Sequence, residues 1–258
     1  KQVQATMPDF VPSYPSVDYA SMSAEKLAAY HDPSKDGTVY LFNNIVCPFG
    51  HRALWTAVEI NAPFHVVEVS LKSKPASYSE MFNRYGTVPY LLDNGFAVYE
   101  SAIIAQYLDF KFNNGELHRS NDPQAASLVQ LAVAKFEAKP FYVFLRTGDA
   151  KAEAEVREIL AELETIYTNH AKAYRDQGPY LLGANLSSAE INLVPFFFRF
   201  DVLLTHYHKV DVFTDIPHLK AALAAAVGRP AFQQTVREPQ YYIDAYSTYV
   251  NPAPPVDS

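Results

Sequence analysis

The single cysteine of the chain, Cys47, is the side chain with the clearest capacity for chemistry. An apolar, β-rich run precedes it and Pro48 follows it, so Cys47 is predicted to stand at the first turn of a helix. The unpaired N–H groups of that turn stabilise an anion, and this position is expected to lower the pKa of the thiol. A cysteine of low pKa is a good leaving group, which favours disulfide exchange. The alternative is a buried cysteine with a structural role only.

Three short motifs downstream of the cysteine are suited to binding a peptide. Val88-Pro89 is predicted to begin a strand with a cis peptide bond, which leaves the Val88 backbone free to pair with an extended ligand. Glu100-Ser101 opens a helix, where Ser101 suits a carboxylate and Glu100 suits an ammonium group. Lys74 suits a second carboxylate. An edge-strand proline, a helix cap and a solvated lysine are the ordinary structural alternatives for these motifs.

Taken together, the four motifs describe a site for a tripeptide that carries two carboxylates, an amino group and a thiol. The thiol of such a ligand is expected to lie near Cys47. Glutathione has this chemistry.

The elements that must position these motifs follow the order β-α-β-α-β-β-α between residues 38 and 112. Apolar, β-rich runs predict the strands, and Asp93, Asn94 and Gly95 form a hairpin turn between the last two. This order is typical of a thioredoxin-like layer. The predicted strands cover residues 38–42, 64–71, 88–92 and 96–99, and the predicted helices begin at 47, near 75 and at 100.

The second half of the chain is predicted to be all-helical. Apolar residues recur at helical spacing between 156 and 174, and Ser187 with Glu190 forms a capping box before a long apolar run. The sequence therefore predicts an α/β, thioredoxin-like domain at 38–112, a linker at 113–121 and an all-α domain at 122–240. An N-terminal extension, 1–37, is predicted to drape over the body with a short helix near 23–30, and residues 241–258 are predicted to form a tail.

The composition argues against several classes of function. The net charge is −7 and no basic cluster with aromatic residues is present, so binding to nucleic acid or to anionic membranes is not expected. No apolar run is long enough to span a bilayer, and no signal peptide is predicted. One cysteine forms no internal disulfide and suits a reducing, cytoplasmic location. His51 and Cys47 supply only two ligands, so no metal site is predicted.

The set of motifs resembles the cytosolic glutathione transferase superfamily, and within it the cysteine-type omega and lambda classes. The resemblance runs over residues 38–237 and rests on Cys-Pro-Phe, Leu-Lys-x-Lys-Pro, Val-Pro and Glu-Ser in this order. It implies a glutathione transferase fold with glutathione as co-substrate. It also implies the site residues, namely Cys47 as the thiol that forms a mixed disulfide, Phe49, Val88 and Pro89 along the glutathione backbone, Lys74 on the glycyl carboxylate, and Glu100 with Ser101 as the γ-glutamyl clamp.

The same resemblance implies a homodimer and a second site, for the acceptor, between the domains. The walls of this site are expected from Val46, Phe136, Phe141 and the aromatic stretch at residues 241–249. The acceptor is expected to be small and either hydrophobic or disulfide-bearing.

Three functions stay open at this point. A glutathione-dependent thiol transferase or reductase fits a Cys47 intermediate, whether it reduces dehydroascorbate, removes glutathione from mixed disulfides or cleaves bonds as β-etherases do. Conjugation of glutathione to electrophiles requires a hydroxyl beside its thiol, and residues 43–46 contain none. A non-enzymatic ligand-binding protein is the third, and the intracellular chloride channel proteins share Cys-Pro-Phe, although no membrane-entering run is evident in the first helix.

Overall fold

A five-stranded sheet is the centre of the first half of the chain, in a computed structural model that describes residues 10–34 and 36–251. Its strands are β1 (Ser16–Asp18), β2 (Val39–Asn43), β3 (Phe64–Glu68), β4 (Tyr90–Asp93) and β5 (Phe96–Val98). They lie in the order β1-β3-β2-β4-β5. β1 and β2 run parallel to β3, whereas β4 is antiparallel to both β2 and β5.

Helices cover both faces of this sheet. α2 (Pro48–Glu59) and α4 (Ser101–Phe112) pack together on one face, and the shorter α3 (Ala76–Met81) packs on the other. Because side chains alternate along a strand, Leu41 belongs to the first apolar layer and Phe42 to the second. This arrangement confirms the predicted thioredoxin-like layer and places the start of α2 at one edge of it.

Seven α-helices follow in the described part of the second half, which confirms the all-helical prediction. They are α5 (Pro123–Ala134), α6 (Lys139–Thr147), α7 (Ala150–Thr165), α8 (Ser188–His208), α9 (Pro217–Val227), α10 (Pro230–Gln233) and α11 (Pro239–Val250). The predicted capping box of Ser187 and Glu190 begins α8, and Glu190 also accepts a hydrogen bond from the Tyr167 hydroxyl at 2.8 Å. None of the helices within residues 10–34 and 36–251 has the length and apolarity that crossing a membrane requires.

The N-terminal extension is part of the fold and does not merely lie over its surface, as the sequence analysis expected. It contributes β1 to the sheet edge, and a short helix, α1 (Ala24–Ala28), lies where one was predicted. Phe10 is buried against Phe198 of α8, with ring centroids 5.7 Å apart, and the Ser13 N–H donates to the Gln234 carbonyl at 3.0 Å. The extension therefore joins the helical half to the sheet. The sequence did not predict β1, because a strand of three residues is too short to show a periodicity and its partner, β3, lies 50 residues away in the chain.

Helix α11 corrects the predicted tail. It runs through the expected boundary at residue 240 and packs against α6 and α8, with Tyr242 fully buried. Pro239 suits the first turn of this helix. The tyrosines of the helix supply its packing surface. Residues 252–258 of the predicted tail lie outside the described residues, as do residues 1–9 and 35 of the extension.

Candidate functional site

The Cys47 thiol lies at the N-terminus of α2, where the sequence predicted it. Cys47 is the N-cap residue, and Pro48 occupies the first turn. The thiol donates a long hydrogen bond to the Val88 carbonyl, with 3.9 Å between sulfur and oxygen. The residue is half-buried. The fold therefore brings the thiol together with the backbone of the predicted peptide-binding strand.

The pKa of this thiol is raised, which corrects the expected lowering. Desolvation by burial is the largest cause. The N–H groups of Gly50 and Phe49 and the guanidinium groups of Arg199 and Arg52 act in the opposite direction. The helix N-terminus thus favours the thiolate, as the sequence analysis argued, but its effect is smaller than the cost of burying the charge.

Gly50 allows the first turn of α2 to approach the sheet closely. A Cβ atom at this position would lie 2.0 Å from the Asn43 Oδ1 atom at the end of β2. A larger residue would therefore push the helix start, and the thiol with it, away from its position.

A cleft of about 190 Å³ brings together most of the predicted glutathione contacts. The Val88-Pro89 peptide bond that borders it is cis, as predicted. The Ser101 Oγ atom is buried and accepts a hydrogen bond from the Arg52 Nη1 atom at 3.2 Å, so its own O–H is left to donate into the cleft. The cleft is lined by Phe49, Thr87, Val88, Pro89, Glu100 and Ser101.

Glu100 presents a carboxylate beside the N–H groups at the start of α4. It is exposed and has a φ of +65°, in the left-handed region that residues other than glycine seldom adopt. Its carbonyl accepts the Ile104 N–H at 2.8 Å, the first hydrogen bond of the helix. The cleft therefore offers an anion for an ammonium group and, next to it, Ser101 with helix N–H groups for a carboxylate.

Lys74 is not among the residues that line this cleft. Its exposed ammonium group donates to the Gly86 carbonyl, one residue before Thr87 of the cleft wall. It is therefore held at the rim, and its contact with a glycyl carboxylate stays a prediction.

A larger cavity, of about 670 Å³, opens between the loop before α2 and the helix α11. Val46 and the aromatic stretch at 241–249, which the sequence analysis assigned to an acceptor site, line it, and its use by an acceptor stays a prediction. Lys72 and Asp244 add one charge of each sign. Val46 directly precedes Cys47 in the chain, although Cys47 is not one of the residues that line the cavity.

Phe136 and Phe141 do not line that cavity, which corrects the predicted acceptor wall. Phe141 is fully buried and stacks on Phe200 at 4.7 Å between ring centroids. Phe136 is half-buried and packs against Phe196 at 5.1 Å. Both rings belong to the apolar core of the helical half.

Two phenols of the helical half, which the sequence analysis did not assign to the thiol, are influenced by the charge of Cys47. Tyr142 of α6 and Tyr246 of α11 shift the pKa of each other, and both interact electrostatically with Cys47. Burial raises the pKa of both phenols, that of Tyr246 to about 12, so both remain donors at neutral pH. The lack of a hydroxyl at residues 43–46 does not leave the site without one. No local pattern joins two tyrosines that lie about a hundred residues apart.

His51 points away from the chemistry that its spacing suggested. Its Nε2 atom lies 2.8 Å from the Thr235 Oγ1 atom, and its Nδ1 atom lies 3.1 Å from the Arg199 Nη1 atom. Burial, helped by the charge of Arg199, lowers its pKa well below the usual range, so the ring is neutral. Across the described part of the chain, no three potential metal ligands cluster.

Arg52 and Arg199 are further residues of the site that the sequence analysis did not single out. Both are buried, and both carry a positive charge toward Cys47. Arg199 had a usable signal, because it is a single charged residue within the phenylalanine-rich run at 196–200.

Family comparisons identify both halves of the chain. The family model described as glutathione S-transferase, N-terminal domain, matches residues 46–110, and the one described as glutathione S-transferase, C-terminal domain, matches residues 133–235. Together they span more than half of the chain. This protein belongs to the glutathione transferase superfamily.

Alignments with similar proteins span most of the length of the transferase. Glutathione S-transferase L3 of Arabidopsis thaliana is 27% identical over 238 residues, which make up 90% of this chain and 97% of that protein. Glutathione S-transferase DHAR2 of the same plant is 25% identical over 205 residues, or 80% and 91% of the two chains. A trimeric glutathione transferase of Leishmania has a TM-score of 0.76 at 27% identity, and the match covers 82% of this chain and 49% of that one. The predicted transferase fold is confirmed.

Proposed function

We propose that this transferase is a glutathione-dependent thiol transferase or reductase that works through a mixed disulfide at Cys47. The observation that carries the proposal is the position of the thiol, 3.9 Å from the Val88 carbonyl at the border of the peptide-binding cleft. A tripeptide paired with the Val88 backbone would carry its own sulfur to that point. The names of the relatives, glutathione S-transferase L3 and DHAR2, support the same class of reaction.

The reaction proceeds by two thiol–disulfide exchanges. The Cys47 thiolate attacks the glutathione sulfur of a mixed disulfide, and the acceptor leaves as a thiolate that takes up a proton. The thiolate of a second glutathione then attacks the Cys47–glutathione bond, forms oxidised glutathione and releases the Cys47 thiolate. The net result is that a glutathionylated acceptor and one reduced glutathione give the acceptor thiol and oxidised glutathione. With dehydroascorbate as the acceptor, two reduced glutathione molecules supply two electrons and two protons and leave as oxidised glutathione.

The residues of the cleft divide the work of holding glutathione. Glu100 pairs with the γ-glutamyl ammonium group, and Ser101 with the first N–H groups of α4 holds the carboxylate beside it. The Val88 backbone pairs with the cysteinyl unit, and Phe49 bounds it on the other side. Lys74 at the rim is the partner that the glycyl carboxylate would reach.

Binding of the tripeptide also favours ionisation of Cys47. The S–H group donates to the Val88 carbonyl, and this bond stabilises the protonated form of the thiol. A cysteinyl N–H that takes over the same carbonyl removes that stabilisation. This change of hydrogen-bond partner opposes the raised pKa of Cys47, of which burial is the largest cause.

The first experiment measures intact mass after incubation with oxidised glutathione at neutral pH, followed by reduced glutathione. One glutathione adduct that maps to Cys47 and is then released supports both exchanges, and Cys47→Ala is expected to give no adduct. A folded protein that binds reduced glutathione but forms no adduct would contradict the proposal and would favour a ligand-binding protein.

Conjugation is the second candidate, and the hydroxyl groups of Tyr142 and Tyr246 are the observation that favours it. Burial and, to a smaller extent, the charge of Cys47 raise the pKa of both phenols, so both stay protonated, and stabilisation of a glutathione thiolate requires a protonated hydroxyl. Cys47→Ser, assayed with a chlorinated nitroaromatic, separates the two functions. This candidate is favoured if Cys47→Ser conjugates faster than wild type and if the double variant, Cys47→Ser with Tyr246→Phe, loses that activity.

Several finer assignments belong to the same proposal. We place the transferase in a cysteine-type, omega-like or lambda-like class, in the cytoplasm, with a small hydrophobic or disulfide-bearing acceptor in the 670 Å³ cavity.

We also propose a homodimer, because Phe96, Ile103 and Phe110 are each at least half exposed on β5 and α4. Analytical ultracentrifugation at micromolar concentration tests this, and a monomer would contradict it.

A further inference from the structure

Arg199 is a buried cation for which the structure supplies no carboxylate. The side chain lies in the middle of α8 and is 1% exposed. None of the ion pairs formed by residues 10–34 and 36–251 includes it. A buried guanidinium group without a counter-charge costs free energy, so its presence here points to a function.

The hydrogen bonds of Arg199 converge on the loop that carries the thiol. Its Nη2 atom donates to the Ile45 carbonyl and its Nε atom to the Val46 carbonyl, both at 2.8 Å. Its Nη1 atom donates to the Pro195 carbonyl of its own helix at 2.9 Å. The guanidinium group therefore fixes the two residues before Cys47 while its charge faces the site unpaired.

The remaining neighbours of Arg199 are neutral. His51 accepts from Arg199 through Nδ1, so its proton is on Nε2, which faces Thr235. The ring face of Tyr242 lies 4.6 Å from the guanidinium carbon, and this cation–π contact lowers the cost of burial without cancelling the charge. These contacts fix the orientation of the guanidinium group.

Four ionisable groups interact electrostatically with Cys47 from four helices, one of which is α2 itself. Arg199 extends from α8, Arg52 from α2 itself, and the phenols of Tyr142 and Tyr246 from α6 and α11. The phenols are uncharged at neutral pH. Arg52 donates to Ser101 and to the Asn192 carbonyl, which directs it toward the peptide cleft. Arg199 has the larger influence on the thiol of the two cations.

We propose that Arg199 is a positioning residue for Cys47, which holds residues 45–46 in place and serves as the counter-cation of the thiolate. This role rests on the proposed function, because the thiol must ionise before it exchanges disulfides. A residue of the helical half thereby controls the chemistry of the thioredoxin-like half. Separation of the two halves would remove both the charge of Arg199 and its hydrogen bonds to the loop at residues 45–46.

The test follows the alkylation of Cys47 by iodoacetamide as a function of pH, without glutathione. Arg199→Met is expected to raise the pH midpoint of alkylation by about one unit and to slow the reaction at neutral pH about tenfold. Arg199→Lys keeps the charge but not the paired loop contacts, so its midpoint is expected to stay close to that of wild type.

Arg229→Met is the matched control, since it removes another arginine that joins the helical half to α2. Its midpoint is expected to equal that of wild type. An unchanged midpoint in Arg199→Met, or an equal rise in Arg229→Met, would overturn the proposal. If Arg199→Met does not fold, Arg199→Gln takes its place: a rise of the midpoint by about one unit supports the proposal and an unchanged midpoint overturns it. A shifted midpoint in a protein that forms no glutathione adduct would refute the proposed function alone.

Discussion

Both ends of α2 meet an arginine from the helical half, but the two arginines differ in their partners. At the C-terminal end, Arg229 forms an ion pair with Glu59, so the charges cancel. At the N-terminal end, Arg199 meets backbone carbonyls and a neutral histidine. The paired end joins the two halves of the molecule. The unpaired end also joins them, but it leaves a positive charge that acts on the thiol, and this difference distinguishes the end of the helix that carries Cys47.

Removal of the thiol is expected to give the largest effect and to separate reactivity from stability at this end. Cys47→Ala keeps the contacts of Arg199 with the loop, so thiol transfer is expected to fall to the background rate while the protein remains folded. Turnover with a glutathionylated peptide measures the loss, and urea unfolding measures stability. Transfer that persists in Cys47→Ala would show that the chemistry lies elsewhere.

Loss of the Ser101 hydroxyl is expected to have the next largest effect, on binding. Ser101→Ala removes a donor to the ligand carboxylate and leaves Arg52 Nη1 without its acceptor. The dissociation constant for glutathione is expected to rise about tenfold or more, since a hydrogen bond to a charged group is worth ~1.5–3 kcal/mol. Isothermal titration calorimetry measures it. Ser127→Ala, on an exposed face of α5, is the control and is expected to bind like wild type.

Loss of the paired arginine tests the other end of α2. Arg229→Met leaves the mostly buried carboxylate of Glu59 without its cation, and the free energy of unfolding is expected to fall by about 1–2 kcal/mol. Urea unfolding measures this change. Arg157→Met breaks a half-exposed pair with Glu153 within α7, and its effect is expected to stay below about 0.5 kcal/mol. Equal losses in the two variants would show that the Glu59 pair has no special role.

The smallest predicted effect is on the pH dependence of stability. The pKa of Cys47 is higher in the folded than in the unfolded chain, so the folded thiol keeps its proton longer. Its contribution to stability is therefore complete below the pKa of an unfolded cysteine, about 8.5, and is lost as the pH rises through the folded value. Urea unfolding between pH 7 and pH 10 is expected to show a steeper alkaline decline for wild type than for Cys47→Ala. Parallel curves would contradict the raised pKa.

Short-range signals carried the prediction of the peptide cleft. A helix that begins at Cys47-Pro48, the Val88-Pro89 strand entry and the helix start at Glu100-Ser101 each depend on two neighbouring residues. Because these preferences are local, the sequence predicted the residues of the cleft and the fold that gathers them. It did not predict the raised pKa of the thiol, since burial depends on what packs over it.

Long-range contacts decided the other side of the site. Arg199 reaches a loop more than 150 residues away, and Tyr142 and Tyr246 meet through two helices that are distant in the chain. Phe141 was expected to line the cavity, but long-range packing buries its ring in the core of the helical half.

The sequence by itself determined the fold, the place of the thiol at a helix start and the residues of the cleft, because turns, caps and apolar periodicity are properties of neighbouring residues. Only the tertiary structure decided the charge around the thiol, the shape of the acceptor cavity and the part of the N-terminal extension in the sheet. Electrostatic interaction and burial depend on distance in space, and packing of the helical half against α2 sets those distances.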